Sequence, residues 1–188
     1  MKYSTDAAAG LMMPSASFGT YYKTGMAFNL GFSMAGSEGT RYRLGLGYYR
    51  TGLDNQALND DPNSNPGGGR YEVGGAVSAF PVLVGLTLVS SKPEARPYGI
   101  LEAGIYLSSK KFDGGTYTYP DGTLIQVPAS SSFRVEPGVN LGAGMLIPLD
   151  AGKSLDLALR YHYVKNSGEA DIPGDIYVAA SQFFTLTI

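Results

Sequence analysis

The sequence predicts an all-β chain: an eight-stranded antiparallel up-and-down barrel that crosses a membrane with its strands. Three observations carry this. Apolar residues alternate with small or polar ones along stretch after stretch, the period of a strand with two unlike faces. The connections between these stretches run long, short, long, short, the asymmetry of membrane barrels with their longer extracellular loops and short periplasmic turns. The less apolar face is dominated by Gly, Ala, Ser and Asn with isolated charges, whereas a face turned to water would be rich in Lys and Glu. A narrow eight-stranded interior takes small residues and packed side chains, so that face is assigned to the lumen and the Leu/Val/Phe/Tyr face to lipid.

Composition agrees. The 188 residues suit one domain, 1–188. Charged residues are 16%, below the soluble average of about 25%. A net charge of −2 offers no basic field for nucleic acid. With no Cys, disulfides, thiolate metal sites and a Cys nucleophile are excluded. No run approaches the roughly 18 apolar residues of a transmembrane helix. The start, MKYSTDAAAG, lacks a basic segment followed by an apolar one, so an export signal is expected to have been removed.

The first strand, residues 3–13, has Ala7, Ala9, Leu11 and Met13 on one face. A loop, 14–24, leads to the strongest signal, a hairpin over 25–50. Met26, Phe28, Leu30, Phe32 and Met34 share a face in its first arm, Tyr42, Leu44, Leu46 and Tyr48 in its second, and Ser37-Glu38-Gly39 makes the turn. The loop 54–69 is rich in Asn, Asp, Pro and Gly and is expected to lack regular structure. In strand four, 70–89, Val73 and Val77 set the apolar parity first, then Val82, Val84, Leu86 and Leu88. The parity changes near Phe80 and Pro81, and a bulge there would supply the shift. Strand five, 96–111, carries Leu101, Ala103, Ile105 and Leu107 opposite Tyr98, Glu102, Gly104 and Tyr106. The connection 112–131 contains TYTYPDGTLIQV, a hairpin around Pro120-Asp121-Gly122 expected to project beyond the membrane. Strands six (132–149), seven (154–164) and eight (175–188) alternate likewise, with a turn at 150–153 and a loop at 165–174.

Parity places Arg41, Arg43, Arg134 and Arg160 in the lumen with Glu72, Glu102, Glu136 and Asp156. Unpaired charges in a narrow lumen are costly, so they should pair, either as a polar core or around a selective pore. His162, the sole histidine, would join them; with no second His, no Cys and no Ser two residues away on its face, neither a metal site nor a hydrolase constellation is built. Asp54, Asp60 and Asp61 lack the ligand alternation of a calcium loop. Tyr117 and Tyr119, on the projecting hairpin, would either contact a partner or brace the hairpin. No cofactor, metal or catalytic residue is expected.

The stretches SAFPVLVGLTL, RPYGILEAGIYL and VEPGVNLGAGM, with the alternating final strand, resemble the small eight-stranded outer-membrane β-barrel proteins, the group that includes OmpX and the OmpA transmembrane domain. The resemblance covers the whole chain and rests on strand and turn patterns. It implies a monomer in the cell outer membrane, contacting outer-membrane lipid and lipopolysaccharide. It also implies a non-enzymatic role in envelope integrity, or in surface adhesion through the loops to a partner it does not identify. Such proteins commonly end in an aromatic residue read by the barrel-insertion machinery; Ile188 stands there in this chain. The rival readings are a small pore or lateral conduit for apolar solutes, a lipid-modifying barrel enzyme, and a soluble ligand-binding barrel.

Overall fold

The computed structural model describes residues 3–62, 65–91, 95–149, 152–166 and 180–188. Strand β1 (Tyr3–Ser15) pairs with β2 (Gly25–Ala35), β2 with β3 (Thr40–Gly52), β3 with β4 (Arg70–Val89) and β4 with β5 (Arg96–Thr118), all antiparallel. Strand β5 takes a short β6 (Leu124–Val127) along its far end and β7 (Ser130–Pro148) along the rest. Then β7 pairs with β8 (Ser154–Lys165) and β8 with β9 (Ala180–Thr187), and β9 returns to β1. Eight strands thus close a ring, the transmembrane type of up-and-down barrel, with β6 outside it. The expected loop at 165–174 and the start of the last strand lie largely outside the described residues.

Closure sorts the side chains. Leu11, Phe28, Leu30, Val84, Leu101, Leu141, Leu159 and Leu186 all point outward and are exposed, which makes a belt around the barrel. Leu11 stands opposite both Leu186 and Met26, and Leu186 opposite Leu159, so the belt crosses the closing seam unbroken. In water such a surface would be an association site; hydrocarbon is its matching solvent. Tyr48 and Tyr163 also face out, while Tyr49 and Tyr106 are buried.

The interior is not uniformly polar, and this corrects the reading of β4. Phe80 pairs with Leu107 and Pro81 with Tyr106 in continuous register, so there is no bulge at Phe80 and Pro81. The β3–β4 pairing breaks off between Leu46↔Val82 and Tyr49↔Ala79 and resumes unshifted. Proline's missing N–H interrupts a ladder without inserting a residue. The register shift lies instead between Gly74 and Gly75, opposite Gly114 and Phe112, with Asp113 the extra residue. Val73 and Val77 change parity because they face inward, where Met12, Phe18, Leu58, Tyr49 and Phe183 form an apolar core at the long-loop end. Glu72, next to Val73, therefore points out and pairs with Arg70 at 3.3 Å, not with the lumen charges.

The long connections are also more ordered than their composition suggests. Helix α1 (Ala16–Tyr21) drops Phe18 and Tyr21 into that apolar core. Helix α2 (Asn55–Asp60) is capped by Asp54, whose Oδ1 accepts from the N–H groups of Gln56 at 3.1 Å and Ala57 at 3.4 Å. Its Leu58 is buried beneath it.

Candidate functional site

Two regions concentrate side chains with chemistry: the lumen and the β5–β6 hairpin. In the lumen, β3 aims Arg43 inward opposite Ser33 of β2, and its guanidinium lies over Gly31, whose missing side chain leaves room for it. Arg43 forks onto the Asp6 carboxylate, with Nη2 donating to Oδ2 at 2.7 Å, and its Nε donates to Glu102 Oε1 at 3.0 Å. Asn140 Nδ2 donates to the other Glu102 oxygen at 2.8 Å. Four strands are thereby tied by one buried charge-assisted network. Sequence reasoning finds Arg43 and Glu102, and the parity of Asn140 with Glu136 and Gly138 also turns it inward, but it misses Asp6, although the parity of Asp6 with Ala8 and Gly10 marks it as inward.

Above the network sits an aromatic plug. His162 is wholly buried, its ring stacked on Phe183 at 4.6 Å and edge-on to Tyr49 at 5.1 Å. Its Nδ1 lies 2.9 Å from the Tyr106 hydroxyl and its Nε2 3.1 Å from the Thr185 hydroxyl. Tyr49 donates to Asn29 Oδ1 at 2.6 Å. The Tyr106 ring fits because Gly138 faces it, where a Cβ would come within 2.6 Å of the ring. The His162–Thr185 contact has the atoms of a base and a hydroxyl, but both groups are fully buried, so no substrate reaches them. Glu136 is buried on the same side of β7, and Arg134 is half-buried. Toward the short turns, Arg41, Arg43, Asp156 and Arg160 line a cavity of about 590 Å³.

The hairpin is built by register. Tyr117 pairs with Ile125 in β6, and Phe112 pairs with Ser130 in β7, so β6 prolongs β7 along β5 without a shift. Gly122 N–H closes the turn onto the Tyr119 carbonyl at 2.9 Å. Asp121 accepts from the Thr123 N–H at 2.9 Å, and this bond holds its carboxyl below the usual range. Tyr117 is buried: its hydroxyl accepts from Gly69 N–H at 3.2 Å and donates to Asn65 Oδ1 at 2.9 Å. Its ring packs on Tyr71 at 4.5 Å. Burial first, then the neighbouring phenols of Tyr117 and Tyr119, push the Tyr71 hydroxyl pKa up. Tyr117 is therefore a brace and not an exposed contact. Tyr119, Leu124 and Ile125 are exposed, at 41%, 64% and 44%. Among the described residues β6 pairs with β5 alone, leaving a free strand edge.

No protein-family model matches the chain, and none of the curated proteins matches it in sequence. Among solved structures, it is similar to Neisserial surface protein A, at 13% identity over 100% of this chain and 96% of that one, with a TM-score of 0.58. It is also similar to Ail, the attachment invasion locus protein of Yersinia pestis, at 14% identity over 100% and 97%, with a TM-score of 0.47. The fold is that of the small eight-stranded outer-membrane β-barrels.

Proposed function

We propose that this chain is a non-enzymatic protein of a Gram-negative type outer membrane, a sealed barrel that holds a projecting β-hairpin at the cell surface for interaction with a partner. It acts as a monomer set in outer-membrane lipid and lipopolysaccharide, inserted by the barrel-insertion machinery. The observation that carries this reading is the pairing of a plugged lumen with an ordered hairpin. A conduit would leave its centre open, whereas here Tyr49, Tyr106, His162 and Phe183 fill it. The hairpin continues the barrel wall and offers a free edge with Leu124 and Ile125 exposed. A free edge binds extended segments by strand addition, with main-chain hydrogen bonds for affinity. A rigid scaffold below a binding loop lowers the ordering cost of contact.

The test compares cells displaying the intact chain with cells displaying a variant whose residues 116–127 are replaced by a two-residue turn. Both barrels should resist cold SDS and change mobility on boiling. The intact chain should give stronger adhesion to a cell-covered surface; equal adhesion refutes the reading. In planar bilayers the intact barrel should be silent, and stable conductance steps would favour a pore.

A further inference from the structure

We propose that the short-turn end of the lumen is a binding site for a phosphate group. This goes beyond the surface reading and does not depend on it. The cavity there, about 590 Å³, is lined by five cationic side chains, Arg41, Arg43, Arg96, Lys153 and Arg160, and by two carboxylates, Asp6 and Asp156. Both carboxylates are already engaged. Asp6 takes the fork of Arg43, which also binds Glu102. Asp156 accepts the Tyr98 hydroxyl proton at 2.8 Å. Among the described residues, no ion pair engages Arg41, Arg96, Lys153 or Arg160. Asp156 keeps its charge beside Arg160, so the cationic side chains of this space outnumber its carboxylate side chains by five to two.

Burial separates part of this cluster from a solvated basic rim: Arg160 is only 3% exposed. Charge-assisted bonds to an oxyanion are the strongest that guanidinium and ammonium groups make. Guanidinium forks match the oxygens of phosphate, and a multiply charged anion suits several cations better than a lone carboxylate. The cavity is larger than a phosphate needs, and Ile100, Leu146 and Leu155 supply an apolar wall. That leaves room for the organic body of a phosphomonoester or for a phospholipid headgroup, within the usual volume of small-molecule sites.

The experiment follows the arginine Nε–H resonances of the refolded, ¹⁵N-labelled chain in a phosphate-free maltoside detergent. Inorganic phosphate is titrated in one arm, and phosphatidylglycerol is doped into the micelles in the other. Saturable shifts of Arg96 and Arg160, with the outward Arg50 unmoved, are expected. A shift with inorganic phosphate supports the site with a soluble phosphate as the source; a shift with phosphatidylglycerol alone supports it with a lipid headgroup as the source. The double variant Arg41→Gln/Arg96→Gln, verified as folded by its heat-dependent mobility, should bind about tenfold more weakly. Three results would overturn the proposal: no saturable shift in either arm, equal shifts with chloride at matched ionic strength, or wild-type affinity in the double variant.

Discussion

Replacing Arg43 with alanine tests the lumen network most directly. Arg43 serves two carboxylates, and they differ in what they lose. The Asp6 side chain is 25% exposed, so it regains water and its loss counts for little. The Glu102 side chain is 1% exposed and would keep only the Asn140 amide as donor. Stripping one member from a buried ion pair costs about 3–5 kcal/mol, because the remaining charge stays desolvated. Glu102→Gln alone should cost less, about 1–2 kcal/mol: its one amide oxygen keeps the Arg43 Nε–H at roughly half the strength, and its NH2 bonds Asn140 once that amide turns its unpartnered Oδ1 inward. The informative variant is the double one. With Arg43 gone, Glu102→Gln removes the stranded charge and keeps the Asn140 bond, so the same substitution should now stabilise. Urea unfolding in lipid vesicles, read by the unboiled SDS band, gives all four values. If the two single costs simply add, the charges do not interact and the network reasoning fails.

Further outcomes test other parts of the molecule. Leu30→Arg, on the lipid belt, should destabilise by about 2–4 kcal/mol if it lies near the bilayer midplane; a neutral effect in the same urea assay would mean the belt does not face hydrocarbon. Gly138→Val places a side chain where a Cβ already meets the Tyr106 ring at 2.6 Å, so the temperature at which the compact SDS band is lost should fall clearly, and an unchanged temperature would show that the ring can yield. For the hairpin turn, the folded Asp121 pKa lies below its ordinary value of 3.8, so its contribution is fully present above that value and is lost as pH falls through the lower one. The Thr123 amide resonance should titrate with a midpoint below 3.8, and a midpoint at or above it would contradict the bond.

The fold was legible because its main forces leave a period in the chain. Lipid on one side and a narrow lumen on the other impose alternation, so β2, β3 and β7 read cleanly from Met26, Leu44 or Leu141 and their neighbours. The pattern misled where the lumen stops being polar. Val73 and Val77 look like lipid-facing residues but face inward into the apolar cluster that includes Phe18 and Leu58, so parity alone placed Glu72 inside and invented a bulge at Phe80 and Pro81. The real irregularity, Asp113, sits among glycines that carry no facial signal. Alternation also sorts residues by face but not by partner. It put Arg43 and Glu102 in the lumen; that Asp6 and Asn140 complete their network depends on stagger between strands far apart in sequence. In the same way it could not tell that Tyr117 tucks beneath the 65–71 segment while Tyr119 stays outside.

The return of β9 to β1 has a kinetic consequence. Every other ladder of the ring joins strands adjacent along the chain, or nearly so, and can form as a hairpin. The closing ladder joins Gly10 to Thr187 and Ser15 to Gln182, across almost the whole polypeptide. Contacts of such separation carry the largest loop-closure entropy and so form late. Until they do, Arg43, Glu102 and the His162 stack belong to an open, curled sheet with one flank facing the surroundings. Sealing the wall and burying the polar centre are therefore one event, and a lesion in the short Gly10–Ser15 seam should slow assembly more than an equal lesion in the long β4–β5 ladder.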